Sequence, residues 1–180
     1  MNVPKDNSIW VIDPVHSKIR FDVQYLLITN ISGWFTEFEG KIQAKNDEFR
    51  DVTAKVAIYT NSLFTANKER DSHLISPDFL NADQFPQITF NSISLKSRGI
   101  KRKITGCLTI KGVTQIVVLE VNYNGKAFDN DGNLKAGFDL VFVFNRKDFN
   151  LNWNKIYPQN IPMIADKVKI TGDIQLLKIP

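Results

Sequence analysis

Few residues of this chain could carry acid–base, metal or nucleophilic chemistry. His16 and His73 are its two histidines, and Cys107 is its one cysteine. Asp13, His16, Arg70, Asp71 and His73 can be drawn together on paper as a metal site or an acid–base pair, yet they come from distant segments and show no ligand spacing. A structural role is expected instead. His16 falls on the wet face of a strand, and Arg70-Asp71-Ser72-His73 would tie a helix to the rest of the fold by hydrogen bonds. Cys107 has no histidine set to activate it and reads as a small packed residue facing away from the interior. A lone cysteine also excludes an internal disulfide and the zinc sites built on two or four cysteines. In Asp129-Asn130-Asp131-Gly132-Asn133 the glycine comes too early for a calcium loop and the closing glutamate is missing, so a turn is expected. No catalytic residue, metal or cofactor is expected.

Charge names no partner either. Lys and Arg number 23 against 19 Asp and Glu, a net charge of +4, with the two signs interleaved. The densest basic run, Lys96 to Lys103, could touch phosphate. Without interleaved aromatics it reads as a solvated hairpin tip, and no nucleic-acid partner is expected. No run of about 18 apolar residues would make a transmembrane helix, and Met1 to Ser8 lacks the features of a secretory signal. As written the chain is expected to be cytoplasmic, or periplasmic if it is a mature form. Its 180 residues, 43% of them hydrophobic, would bury roughly 70% of the unfolded surface. One domain over 1–180 follows.

What must hold these residues is a set of strands. Alternation of apolar and polar residues marks a strand with one dry and one wet face. From Val15 to Tyr25, Val15, Ser17, Ile19, Phe21, Val23 and Tyr25 alternate with His16, Lys18, Arg20, Asp22 and Gln24. The pattern returns in Val52, Ala54, Val56 and Ile58; Ile104, Leu108 and Ile110; Val117, Leu119, Val121 and Tyr123; Phe138, Leu140, Phe142 and Phe144; and Val168, Ile170, Ile174 and Leu176. Trp34 to Lys45 and Gln87 to Lys96 complete eight strands. In those two, Phe35 and Phe38, and Phe90 and Ile93, are three apart, and a bulge in each would restore step. Lys111-Gly112-Val113-Thr114 and Asn130-Asp131-Gly132-Asn133 read as hairpin turns, so neighbours are antiparallel. Only the segment from about 62 to 82 interrupts the strands, where Thr65 could cap a helix ending near Ile75 before Ser76-Pro77.

Eight amphipathic strands with few protected edges favour closure into a barrel. Its inward faces as read carry no Lys, Arg, Asp or Glu. The candidate lining is Ser17, Ile19, Phe21, Val23, Tyr25, Phe38, Val56, Ile58, Phe90, Gly106, Leu108, Ile110, Leu119, Val121, Phe138, Leu140, Phe142, Ile170, Gly172 and Ile174, with Gly106 and Gly172 leaving gaps. Such a lumen either packs on itself or holds one greasy ligand.

The chain resembles the YceI-like family of lipocalin-like, polyisoprenoid-binding proteins from Trp10 to about Leu177. The motifs, in order, are Trp10-Val-Ile-Asp-Pro-Val-His-Ser17 with Phe21; Gly33-Trp-Phe35 with Phe38 and Gly40; Ser62 with Thr65; Arg70-Asp-Ser-His-Leu74; Asp78-Phe79; Phe85-Pro-Gln-Ile-Thr-Phe90; Gly106-Cys-Leu-Thr-Ile-Lys-Gly-Val-Thr114; Gly137-Phe138; Arg146-Lys-Asp-Phe149; and Asp166-Lys-Val168. The resemblance implies an all-β, extended eight-stranded antiparallel barrel with a short helical insert. It further implies a hydrophobic small-molecule ligand, a long isoprenoid or acyl chain held in the channel, and a possible homodimer. This chain has Tyr25 where many members have His, Asn150 where Gly is usual, and lacks the usual glycines over Lys155 to Ile164. A non-enzymatic carrier or store is expected; the alternatives are an enzyme using His73, Asp71 or Tyr25 on such a lipid, or a filled barrel that binds proteins.

Overall fold

A computed structural model describes residues 8–49, 51–98 and 100–180. The expectations that touch Met1 to Asn7, and Gly99 in the basic run, lie outside the described residues. The strands are β1 (Ser8–Ile12), β2 (Lys18–Tyr25), β3 (Thr29–Phe35), β4 (Phe38–Ala44), β5 (Val52–Tyr59), β6 (Leu63–Phe64), β7 (Gln87–Arg98), β8 (Lys101–Ile110), β9 (Val113–Phe128), β10 (Leu134–Asn145), β11 (Ile156–Tyr157), β12 (Ile161–Pro162) and β13 (Ile164–Ile179), with one helix, α1 (Lys68–Ile75).

Eight of these close a ring of antiparallel pairs in the order β1, β4, β5, β7, β8, β9, β10, β13, and β13 returns to β1. The eightfold count read from alternation is therefore correct, but three ring positions are each shared by two shorter strands. β13 pairs with β10 on one side; on the other, its Ile164–Asp173 part pairs with β2 and its Leu176–Ile179 part with β1. β2 carries β3 beside it, and β3 carries β6, so β1/β2, β3/β4 and β5/β6 divide the barrel into two ends. Among the described residues no helix is long and apolar enough to cross a membrane.

The sequence motifs explain the breaks. Val15 is 83% exposed because the chain kinks there instead of running straight. Asp13 Oδ2 accepts from His16 Nδ1 at 2.9 Å, Gln175 Nε2 at 3.0 Å and Lys135 Nζ at 3.3 Å, while Gln175 N donates to Ser17 Oγ at 2.9 Å. The Asp13 to Ser17 segment thus clips the kink to β13. Ser17 is buried in that clip and not in a lumen. Burial alone would raise the Asp13 carboxyl, but the bonds from His16, Lys135 and Gln175 outweigh it and hold the group at about 2.

Phe35 and Phe38 are separated not by a bulge but by a corner, the end of β3 and start of β4. A bulge does stand between Ser92 and Ser94, yet it turns Ile93 outward, 60% exposed, while Phe90 stays in. Both expected hairpin turns form, with Lys111, Gly112 and Gly132 at positive φ. The helix is capped by Asn67, whose side chain accepts from Arg70 N, and not by Thr65. Thr65 is instead the anchor of the insert: its N and Oγ1 donate to Asp71 Oδ1 at 2.9 and 2.5 Å, and Arg70 donates to its Oγ1 and O, both at 2.8 Å.

Candidate functional site

The two ends of the barrel differ. At the β1 end the interior is solid: Phe49 packs at tilted or edge-on angles against Trp10, Phe138 and Tyr123 with ring centroids 4.8, 4.9 and 5.8 Å apart. Arg102 seals this end, its guanidinium 5.1 Å over Tyr123, with Nη1 donating to Phe49 O and Nη2 to Glu48 O. Burial lowers the Arg102 pKa, and Tyr123 and Glu48 oppose that shift. This corrects the expectation that Lys96 to Lys103 is a solvated tip: Arg102 is buried. It shares its face with Ile104 and Leu108, and that alternation, carried two residues further, places it inside.

At the β2 end the interior is hollow, with a cavity of about 290 Å³. Its wall includes Ile19, Phe21, Val23 and Tyr25 from β2, Val56 and Ile58 from β5, Phe90 from β7, Leu108 and Ile110 from β8, Leu119 from β9, Leu140 and Phe142 from β10, and Ile170 from β13. The other candidates stand elsewhere. Phe38 is buried in the apolar core off the wall. Phe138 belongs to the aromatic plug, Val121 pairs with Arg102 in the filled end, and Ile174 packs against the core off the wall. Gly106 and Gly172 do not leave gaps: a Cβ on Gly106 would meet the Phe90 ring at 2.4 Å, and one on Gly172 would meet Leu140 at 2.9 Å. Each glycine makes room for a wall side chain to lie flat across it.

Sequence reading missed some strand residues of the wall, among them Ile31, Phe35 and Ile88, and all of its part from the insert and the rim. Leu74 of α1 and Phe79 and Leu80 after it close the side left open beside β6, and Leu151, Trp153, Met163 and Ile164 complete the rim. More consequentially, Arg70, His73 and Arg146 also line the cavity, so its wall is not free of charge. Arg146 was legible: it continues the even-numbered face of Phe138, Leu140, Phe142 and Phe144. It is 2% exposed and donates from Nε to Ala165 O at 3.0 Å and from Nη1 to Trp153 O at 2.9 Å and Leu151 O. Its Nη2 has no hydrogen-bond partner, and Asp166 Oδ1 stands 3.5 Å from it. Burial lowers the Arg146 pKa, and Asp166 opposes this. His73 Nε2 lies 3.0 Å from Asp78 Oδ2, and its ring meets Phe79 and Trp153 edge-on at 5.0 and 4.7 Å. Asp71, bonded to Thr65, is not on the wall.

This arrangement would surround an apolar guest with hydrocarbon and aromatic surface, and among the described wall residues polar side-chain groups come from Tyr25, Arg70, His73, Arg146 and the Trp153 indole. A family model described as a YceI-like domain matches residues 10–176. The chain is 39% identical over 136 residues to Protein YceI of Salmonella newport, covering 76% of this chain and 71% of that protein. It is 30% identical over 167 residues to a UPF0312 protein of Staphylococcus aureus, covering 92% and 95%. Among solved structures, BcnA of Burkholderia cenocepacia superposes with a TM-score of 0.77 at 24% identity, over 91% of this chain and 98% of that one. A polyisoprenoid binding domain from Saccharophagus degradans superposes with a TM-score of 0.70 at 11% identity, over 94% and 98%, which bears on the fold alone.

Proposed function

The chain belongs to the YceI-like family, and from that premise we propose that it binds a long isoprenoid chain or similar amphiphilic lipid in its hollow half and carries or stores it without changing it. A quinone or polyprenyl compound is the proposed cargo class. The observation that carries the reading is the cavity wall, in which strands, insert and rim all contribute apolar side chains to one continuous space. A neighbour of the same fold described as polyisoprenoid-binding supports it. The energetics suffice: a tail burying roughly 400 Å² of apolar surface gains on the order of 10 kcal/mol, before the cost of immobilising it. No charged contact is needed for useful affinity.

The test is mass spectrometry of an organic extract from natively purified protein, followed by reloading of the stripped protein with a polyprenol or a long-chain quinone. Recovery of a long-chain lipid, or saturable reloading, is expected. A clean extract together with no uptake would refute the reading. The pair His73 and Asp78 beside the cavity favours one second reading, an acid–base step on the bound lipid. Its mark would be a change in the mass of the reloaded lipid on incubation with wild type and none with His73→Ala.

A further inference from the structure

We infer that the cavity selects amphiphiles with an anionic head, a carboxylate or phosphate, over neutral ones of the same chain; this rests on the lipid-binding reading above and specifies its ligand class. The argument starts from where the charges stand. Arg70 and His73 lie one turn apart on α1 and so share a face. The His73 ring meets Trp153, and the Trp153 carbonyl accepts from Arg146. The three cationic or protonatable wall groups therefore form one connected patch at one part of an otherwise apolar wall.

Their counter-charges stand behind them. Asp71 reaches Arg70 only through the Thr65 hydroxyl, and among the described residues no carboxylate comes within ion-pair distance of the Arg70 guanidinium. Asp78 meets His73 while more than half exposed, and Asp166 is shared between Arg146 at 3.5 Å and Lys147 at 2.8 Å. None of these three carboxylates is on the cavity wall, and no other carboxylate is on it among the described residues. Arg146, almost completely buried, keeps one nitrogen without a hydrogen bond. The positive charge of this patch is met by carboxylates only from behind and, at Arg70, by none within ion-pair distance among the described residues, so a ligand oxyanion with its tail in the hollow half would complete it from the low-dielectric side. Tyr25, on the same wall, offers its hydroxyl to either kind of head.

The experiment compares matched pairs by displacement of neutral Nile red from the full chain: hexadecanoate with hexadecanol, and farnesyl phosphate with farnesol, at mildly alkaline pH where the acids are ionised. Charged hydrogen bonds exceed neutral ones by enough to make the anionic member roughly five- to tenfold tighter. Preference for the acid alone assigns a carboxylate head, and preference for the phosphate alone assigns a phosphate; either result, or both, supports the inference. In Arg70→Gln the ratio within a pair should fall toward one, and Arg70→Lys should retain part of it. Equal affinities within both pairs in wild type would overturn the inference while leaving lipid binding intact, and so would a ratio undiminished in folded Arg70→Gln. If that variant does not fold, the wild-type ratios and Arg70→Lys still decide. Displacement by none of the four compounds would instead sink the lipid-binding reading itself, and this inference with it.

Discussion

Alanine at Gly106 and at Gly172 should destabilise the barrel to different extents, although both glycines face inward. At Gly106 a Cβ would stand 2.4 and 2.5 Å from the Phe90 ring and 2.6 Å from the Asn91 carbonyl oxygen. The ring can turn, but the carbonyl belongs to β7, whose pairs Asn91 with Cys107 and Ser92 with Gly106 hold it in place. Overpacking of this kind costs about 1–3 kcal/mol, and a backbone obstacle puts it near 3. At Gly172 the obstacles are all atoms of Leu140, at 2.9 to 3.3 Å, and Leu140 borders the cavity into which it can shift. The cost should be about 1 kcal/mol or less. For a domain of this size each kcal/mol lowers Tm by roughly 2–4 °C. Thermal unfolding followed by circular dichroism should then show Gly106→Ala melting about 6–12 °C lower and Gly172→Ala no more than about 2–4 °C lower. Uptake of a polyprenol should weaken in Gly172→Ala, because Leu140 takes cavity space. Wild-type melting in Gly106→Ala, or equal losses of Tm in the two variants, would show that the reasoning about these contacts is wrong.

Other variants probe separate parts of the account. Asp13 is held at about 2 in the folded chain against about 3.9 unfolded, so its contribution is present above pH ~4 and lost as pH falls toward ~2. Its partner His16 is exposed, which brings the contribution to on the order of 1–2 kcal/mol; urea unfolding of Asp13→Asn should show that loss at neutral pH and nearly none at the acid end. Arg102→Met should cost about 2–4 kcal/mol in urea unfolding, because the Phe49 and Glu48 carbonyls lose their donor. Lipid uptake should be retained, since Arg102 seals the filled end. Tyr25→Phe should weaken binding of a polar-headed lipid by about 0.5–1.5 kcal/mol in a titration, one neutral hydrogen bond; a larger loss would give Tyr25 a greater role than the wall geometry supports.

Period-2 alternation made the barrel legible because each strand separates water from a dry interior, and the registers of β2, β8 and β13 from Val168 onward follow it. Arg20, Asp22 and Lys169 face out as that pattern requires. It could not show that β1 and β2 share one ring position, since that kink is made by side-chain bonds between Asp13, Ser17 and Gln175, which are far apart in sequence. Nor could it divide the lumen. Phe138 and Phe142 lie on the same face of one strand, yet Phe138 is packed by Phe49 from a loop while Phe142 looks into open space. The charged wall residues escape a reading confined to apolar runs for two reasons. Arg146 lies one step beyond the apolar run that it continues, and Arg70 and His73 sit on a short helix without a buried residue of its own, whose cavity-facing side has no apolar stripe to mark it.

A crystal structure of the protein saturated with a long-chain prenol would test the central claim most directly. The account predicts a chain threaded among Phe21, Leu119, Phe142 and Ile170, its polar end toward Tyr25, Arg70 and Trp153, with the cluster of Trp10, Phe49, Tyr123 and Phe138 unmoved. A chain bound only on the outer surface, or one lying where the aromatic plug stands, would contradict it.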